Sequence, residues 1–297
     1  VYYNEKDLYK GGMIKDVLKE LSDRGYTYEE DHATWFKATE FGAEKNRVLV
    51  KNTGEPTYRL PDIAYHREKI RRGFDLIIDI FGADHHATYP DVKAALEAMD
   101  LDTSHINVLL HQFVTLTRDG EKVKMSTRKA NFVTLDELMD LAGTDVVRYF
   151  YIMRSMDSHL NFDLALAQKQ TDENPVFYLQ YAHARMNNIL LHSSEKGIDS
   201  YDNADLTRLT EPEIISLLEA MIEFKDIMAL CKNSLEPMHL TNYLYRLATA
   251  FHKFYSVHRV VSDDIELSKA RLQLIDAVKI ILANGLSILG ISAPERM

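Results

Sequence analysis

A single cysteine, Cys231, occurs in the 297 residues, which rules out an intrachain disulfide and a thiolate zinc cluster and fits a reducing, cytoplasmic setting. Long apolar runs are missing too. The candidates DLIIDIF and VKIILANGLSILGI are interrupted by charge, and neither approaches the ~20 residues that cross a bilayer, so no membrane partner is expected. Cations are outnumbered, 35 Lys and Arg against 45 Asp and Glu, for a formal net charge of -10. That balance argues against a nonspecific nucleic-acid binder and still permits a local basic face. No G-x-G-x-x-G dinucleotide fingerprint is present, and the opening VYYNEKDLYKGG has neither a signal-peptide pattern nor an initiator Met. The expectation is a portion of a longer protein.

The patterns that are present divide the chain. NRVLVK (46–51) is a β-branched run ended by turn residues, and DLIIDIF (75–81) is nearly all apolar, as for a parallel strand buried on both faces. PDVKAALEAM (90–99) reads as a helix with Pro90 in its first turn, and HINVLLHQFVTL (105–116) as the next strand region. Strand, helix, strand at this spacing predicts a βαβ crossover. Trp35 reads as a core residue. FVTL, Asp119-Gly120 and EKVKM predict a hairpin, and Thr134 with Glu137 a capping box opening a helix. From residue 171 the apolar period becomes helical, with helices starting at Pro175, near 212, near 239 and near 267, the second running through Phe224 to Met228. The expected fold is α/β, a partial Rossmann-like parallel sheet over 1–170, followed by an all-α bundle over 171–297.

The chemistry concentrates in EKVKMSTRKANFV (121–133), where Lys122, Lys124, Arg128 and Lys129 surround a Met-Ser-Thr centre in an acidic chain. Cations this close repel one another unless an anion relieves them. With a hydroxyl and backbone N–H groups alongside, they suit a polyphosphate whose transfer builds negative charge. A solvated charged face is the competing reading.

VKMSTRKANFVTL resembles the KMSKS loop of class I aminoacyl-tRNA synthetases, in the KMST-R form of the arginyl group. TEFGAEKNRVLVKNTGEPTYRLPDIAYHREKIRRGFD, IFGADHH, DVVRYFYIMRS, NPVFYLQYAHAR and the ending LANGLSILGISAPERM resemble further blocks of that family, in order along nearly the whole chain. The resemblance implies ATP with Mg²⁺, L-arginine and tRNA(Arg) as partners, no structural metal, a monomeric intact enzyme, and an anticodon-binding bundle. It assigns Lys124, Ser126 and Arg128 to catalysis, and Lys124, Met125, Ser126, Lys129, His85 and His86 to ATP. Thr127 stands where the general motif has its second lysine, and Arg128 and Lys129 are the cations beside it. Tyr58 and Asp62, in TYRLPD, match the arginine-pocket tyrosine and aspartate, consistent with a guanidinium's preference for a carboxylate. A cap after Pro61 is the other reading of Asp62. Asp84 falls where other members carry a substrate-facing glutamine.

Arg185, Tyr255 and Met297 match positions against the anticodon loop, where RNA bases stack on aromatic and guanidinium planes. A structural ion pair, a core aromatic and a frayed end are their plainer alternatives. His85 and His86 diverge as neighbours and lack further ligands at metal spacing.

The His-x-Gly-His motif of the class is absent, as is the first half of its nucleotide fold. This polypeptide alone is therefore expected not to form arginyl-adenylate. A non-catalytic RNA-binding module derived from a class I synthetase is the alternative function; the presence of Lys124, Tyr58 and Asp62 weighs against it, since RNA binding alone needs none of them.

Overall fold

The computed structural model describes residues 2–85, 88–118, 120–123 and 133–297. It divides into two compact units, Val1–Phe113 and Val114–Met297.

In the first unit the elements are α1 (Lys6–Lys10), α2 (Met13–Asp23), β1 (Thr27–Glu30), β2 (Ala33–Phe36), β3 (Arg47–Val50), α3 (Arg59–Arg71), β4 (Ile77–Gly82), α4 (Tyr89–Glu97) and β5 (Ile106–His111). β4 and β5 pair in parallel from Ile77 opposite Ile106 to Gly82 opposite His111, with α4 between them in sequence. This is the expected βαβ unit. The NRVLVK strand lies elsewhere. β3 pairs antiparallel with β2, and β2 with β1, in a separate three-stranded sheet. Leu21, Phe36, Leu49, Leu60, Ile63 and Leu96 are among the residues of one buried core.

Two expectations need correction. β4 is not buried on both faces: Ile77 and Asp79 point inward, while Ile78 and Ile80 are 44% and 62% exposed. A strand's side chains alternate between faces, and here one face alone is covered. Trp35 is half-buried on the antiparallel sheet, stacked on Tyr28 at 6.2 Å, rather than in the core.

The second unit contains β6 (Val114–Arg118), β7 (Glu121–Lys122), α5 (Leu135–Ala142), α6 (Thr144–Ile152), β8 (Leu160–Asp163), α7 (Leu164–Ala167), α8 (Pro175–Glu195), α9 (Pro212–Ile222), α10 (Phe224–Ser234), α11 (Met238–Val257) and α12 (Ile265–Ile288). β6 and β7 form the hairpin read from Asp119-Gly120, and β6 also pairs in parallel with β8. The Thr134 capping box is formed: its hydroxyl accepts from the Glu137 N–H, and the Glu137 carboxylate accepts from the Thr134 N–H. Phe150 and Phe162 share a core with Leu179, Leu247, Phe251 and Val278, so residues 114–170 pack with the bundle. The helix expected from about 212 through 228 is two helices that break at Glu223. Neither Gly nor Pro marks that break, so no local signal announces it. Among the described residues no helix is long and apolar enough to cross a membrane.

Candidate functional site

The second unit brings Arg185, Tyr255 and Met297 together. Asn174 starts α8 by accepting from the Val176 N–H at 3.0 Å while its amide donates to the Ala167 and Lys169 carbonyls. Proline then occupies the first helical position, where its missing N–H costs nothing. One turn apart on α8, Tyr181 and Arg185 meet: the guanidinium lies 4.7 Å from the Tyr181 ring centroid and donates to its hydroxyl. The same guanidinium is 5.0 Å from the Tyr255 ring of α11. Tyr255 in turn stacks on Phe251 at 6.0 Å. A planar cation in contact with two rings is preorganised, since little of its rotamer freedom remains to be lost on binding.

Met297 reaches the same cavity because the chain after α12 is tied down at each step. Arg148 on α6 donates through Nε to the Leu289 carbonyl at 2.5 Å. Asp145 accepts from the Ser292 backbone and hydroxyl and from Gln180. His183 donates through Nδ1 to the Pro294 carbonyl at 2.8 Å, and Asn187 to the Glu295 carbonyl at 3.3 Å. The resulting hollow has a volume of about 680 Å³, with Tyr181, Arg185, Tyr255, Arg259 and Met297 in its wall. At its rim His258 bonds Glu213 at 3.1 Å, and that hydrogen bond is the chief reason the Glu213 carboxyl sits below its ordinary range.

The turn into this tail depends on Gly290, at φ +69°, where an added Cβ would lie 2.6 Å from Arg148 Nε. Gly290→Ala is expected to cost about 2 kcal/mol, from the left-handed backbone and the displaced guanidinium together. The check is thermal unfolding combined with carboxypeptidase digestion, in which Met297 should be released faster than from the parent chain.

In the first unit Tyr58 immediately precedes α3 and is 59% exposed, with the Arg59 guanidinium 5.2 Å from its ring. Arg59 is itself fixed, sharing Asp91 Oδ2 with Arg47 at 3.0 and 2.6 Å. Asp91 is only 3% exposed, so this carboxylate joins β3, α3 and α4. Asp62 lies in the first turn of α3, exposed, beside a small hollow of about 220 Å³ shared with Tyr3, Glu5 and Tyr65. Tyr58 does not line that hollow. Asp84 follows β4 in the short turn Ala83–His85, its Oδ1 only 2.6 Å from where a Cβ on Gly82 would be. Gly82 thus leaves space that the Asp84 carboxylate occupies. The side chain of His85, all of His86, and Lys124, Met125, Ser126, Arg128 and Lys129 lie outside the described residues.

Beneath Asp62 is a buried ionic cluster that the sequence reading missed. Asp79 of β4 accepts from His66 Nε2 at 2.8 Å and from the Lys69 ammonium, and His66 Nδ1 donates to the Asp62 carbonyl at 2.7 Å. Burial alone would raise the Asp79 carboxyl. Its hydrogen bonds with His66 and Lys69, and their charges, outweigh that and hold it below the usual range. Tyr181 and His252 were also missed, although their spacings of four and three residues from Arg185 and Tyr255 put each on the same helix face as its neighbour.

The family model for the class I (R) tRNA synthetase catalytic domain matches residues 3–190, more than half of the chain. The chain belongs to the arginyl-tRNA synthetase family. A DALR anticodon-binding domain model matches residues 179–297. The arginine–tRNA ligases of Desulfotalea psychrophila and Salinibacter ruber are 54% and 52% identical over 100% of the chain. The chain spans about half the length of these curated relatives, 54% and 53% respectively. A solved structure assigned as an arginyl-tRNA synthetase of Campylobacter jejuni aligns over 100% of this chain and 64% of its own, at 32% identity and a TM-score of 0.91. The Thermus thermophilus arginyl-tRNA synthetase, at 20% identity and a TM-score of 0.82, shares the fold over 98% of this chain and 59% of its own.

Proposed function

We propose that the chain is part of an arginine–tRNA ligase, with residues 1–170 contributing to the catalytic core and 171–297 reading the tRNA anticodon. The intact enzyme would join the carboxylate of L-arginine to the α-phosphate of ATP, releasing pyrophosphate, and pass the arginyl group to the terminal ribose of tRNA(Arg). Tyr58, Asp62 and Asp84 would face the amino acid. The cationic set Lys124, Arg128 and Lys129, with Met125, Ser126, His85 and His86, would face ATP. By charge this donor set fits a Mg²⁺-bound triphosphate, which would supply the leaving group.

The observation that carries the RNA-binding part is the Arg185 guanidinium in contact with both the Tyr181 and Tyr255 rings at the wall of the cavity that Met297 lines. Aromatic and guanidinium planes of this kind stack on splayed RNA bases. Tyr255→Ala is expected to weaken binding of tRNA(Arg) by about tenfold or more, given ~1–3 kcal/mol per stacked base. Helix content by circular dichroism should stay unchanged, because the Tyr255 ring is only partly buried. Unchanged affinity in a filter-binding titration would count against the anticodon role of this surface.

A further inference from the structure

Tyr58 and Asp62 sit where α3 secures its own backbone least. Tyr58 precedes the helix and Asp62 lies in its first turn. Pro61 between them supplies no N–H. The Asp62 N–H reaches the Tyr58 carbonyl at 3.3 Å, beyond the usual span of such a bond.

The Asp62 carbonyl is held more firmly. His66, one turn further along α3, brings Nδ1 to 2.7 Å from it. A carbonyl can only accept, so Nδ1 carries a proton and donates it. The other ring nitrogen, Nε2, is 2.8 Å from Asp79 Oδ2 on β4. Tyr58, Asp62, His66 and Asp79 therefore form one chain of hydrogen bonds that ends on a strand. His66 and Asp79 are 4% and 6% exposed, so packing fixes them both. Lys69, the second partner of Asp79, lies 4.6 Å from the centre of the Tyr65 ring. Tyr65 stacks on Tyr3, and both rings line the hollow beside Asp62. Stability does not account for such a cluster, because burying ionisable groups together is often no better than burying apolar side chains of the same size. A satisfied polar chain does rigidify what it holds, in direction as well as distance.

We propose that His66 is a positioning residue for amino-acid recognition: anchored on Asp79, it holds the Asp62 carbonyl and, through it, the first turn of α3, so that Tyr58 and Asp62 meet L-arginine in a fixed geometry. The proposal rests on the reading that Tyr58 and Asp62 face arginine. His66 does not line the hollow beside Asp62. It acts by removing freedom from the pocket before the amino acid arrives.

The test uses the intact ligase, with aminoacylation rates measured at varied arginine and varied ATP. Two amide side chains separate the two bonds of the ring. Asn places its nitrogen near Nδ1 and keeps the bond to Asp62, whereas Gln places its nitrogen near Nε2 and keeps the bond to Asp79. His66→Leu keeps neither, and leaves Asp79 paired with Lys69. His66→Gln and His66→Leu should each raise the KM for arginine about tenfold and leave the KM for ATP within about twofold. His66→Asn should keep both within about threefold of the parent. Partial unfolding lowers kcat by reducing the number of active molecules and leaves KM alone, so lost stability does not imitate this pattern. If His66→Gln does not fold, His66→Leu decides in its place. Asp62→Asn is the reference, and should raise the KM for arginine at least as much. If it does so while His66→Gln and His66→Leu keep the parent value, or if His66→Asn raises the KM as much as they do, the positioning role is refuted and the arginine reading stands. If Asp62→Asn leaves the KM for arginine unchanged, the arginine reading falls, and the positioning role with it.

Discussion

Asp79→Asn is expected to lower the stability of the first unit by on the order of 3 kcal/mol, the low end for removing one partner from a buried ion pair. Asp79 is 6% exposed, and its two oxygens receive His66 and Lys69 separately. The amide keeps the shape but has one oxygen, so Lys69 or His66 loses its acceptor, and the Lys69 ammonium is left without a counter-charge at 14% side-chain exposure. The acid dependence has a definite sign. In the folded state the Asp79 carboxyl sits below the ordinary aspartate range. Its contribution is therefore fully present above about pH 4 and is lost as pH falls through the folded value. Urea unfolding of the parent chain should show the midpoint falling with acid in that window, and Asp79→Asn should remove this part of the slope. Replacing Asp79, His66 and Lys69 together by apolar residues of similar size should recover much of the loss, because the desolvation of all three charges disappears with them. A single substitution costing less than ~1 kcal/mol would mean that Lys69 simply turns to water, as exposed pairs do.

The same cluster shows where sequence reasoning stopped. The run DLIIDIF announces a strand through its apolar residues, and the parallel pairing with β5 followed from the helix between them. The acid in its middle carries no such message. Only the fold reveals that Asp79 faces the helix that brings His66 and Lys69, 13 and 10 residues away in sequence. The antiparallel sheet was hidden for a different reason. The β1–β2 turn uses Asp31 and His32 at φ 51° and 61°, where Asn-Gly or Asp-Gly is the recognisable signal. Capping was legible, because Thr134 with Glu137 and Asn174 with Pro175 act within one turn of chain. At the RNA surface, the residue types were legible and their convergence was not. Met297 is brought to Arg185 by Asp145, Gln180, His183 and Asn187, each more than 100 residues from the tail atom it holds. Periodicity reports which face of a helix is apolar, and it is silent on polar bonds at that range.

Gly285→Val is expected to destabilise the second unit by about 3 kcal/mol, the upper part of the range for overpacking a core. Gly285 lies buried within α12, and a Cβ there would stand 2.5 Å from Leu244 Cδ2 and 3.2 Å from Leu244 Cγ. Leu244 belongs to α11 and has no exposed surface, so its branch has nowhere to retreat. Glycine is a poor helix residue, and replacing it by alanine on an open face gains about 1 kcal/mol. Here the clash works against that gain. Gly285→Ala should thus come out modestly destabilised, while valine adds two further carbons and a β-branch to the same space. Thermal unfolding is the measurement, with the melting point of a unit this size expected to fall by ~6–12 °C for valine. Leu244→Ala alone opens a cavity and should cost ~2–5 kcal/mol. In the double variant Gly285→Val/Leu244→Ala the new branch enters the vacated space, so the combined loss should be well below the sum of the two. Simple additivity would show that α12 shifts bodily away from α11 and that the close approach at Gly285 is not what sets their packing.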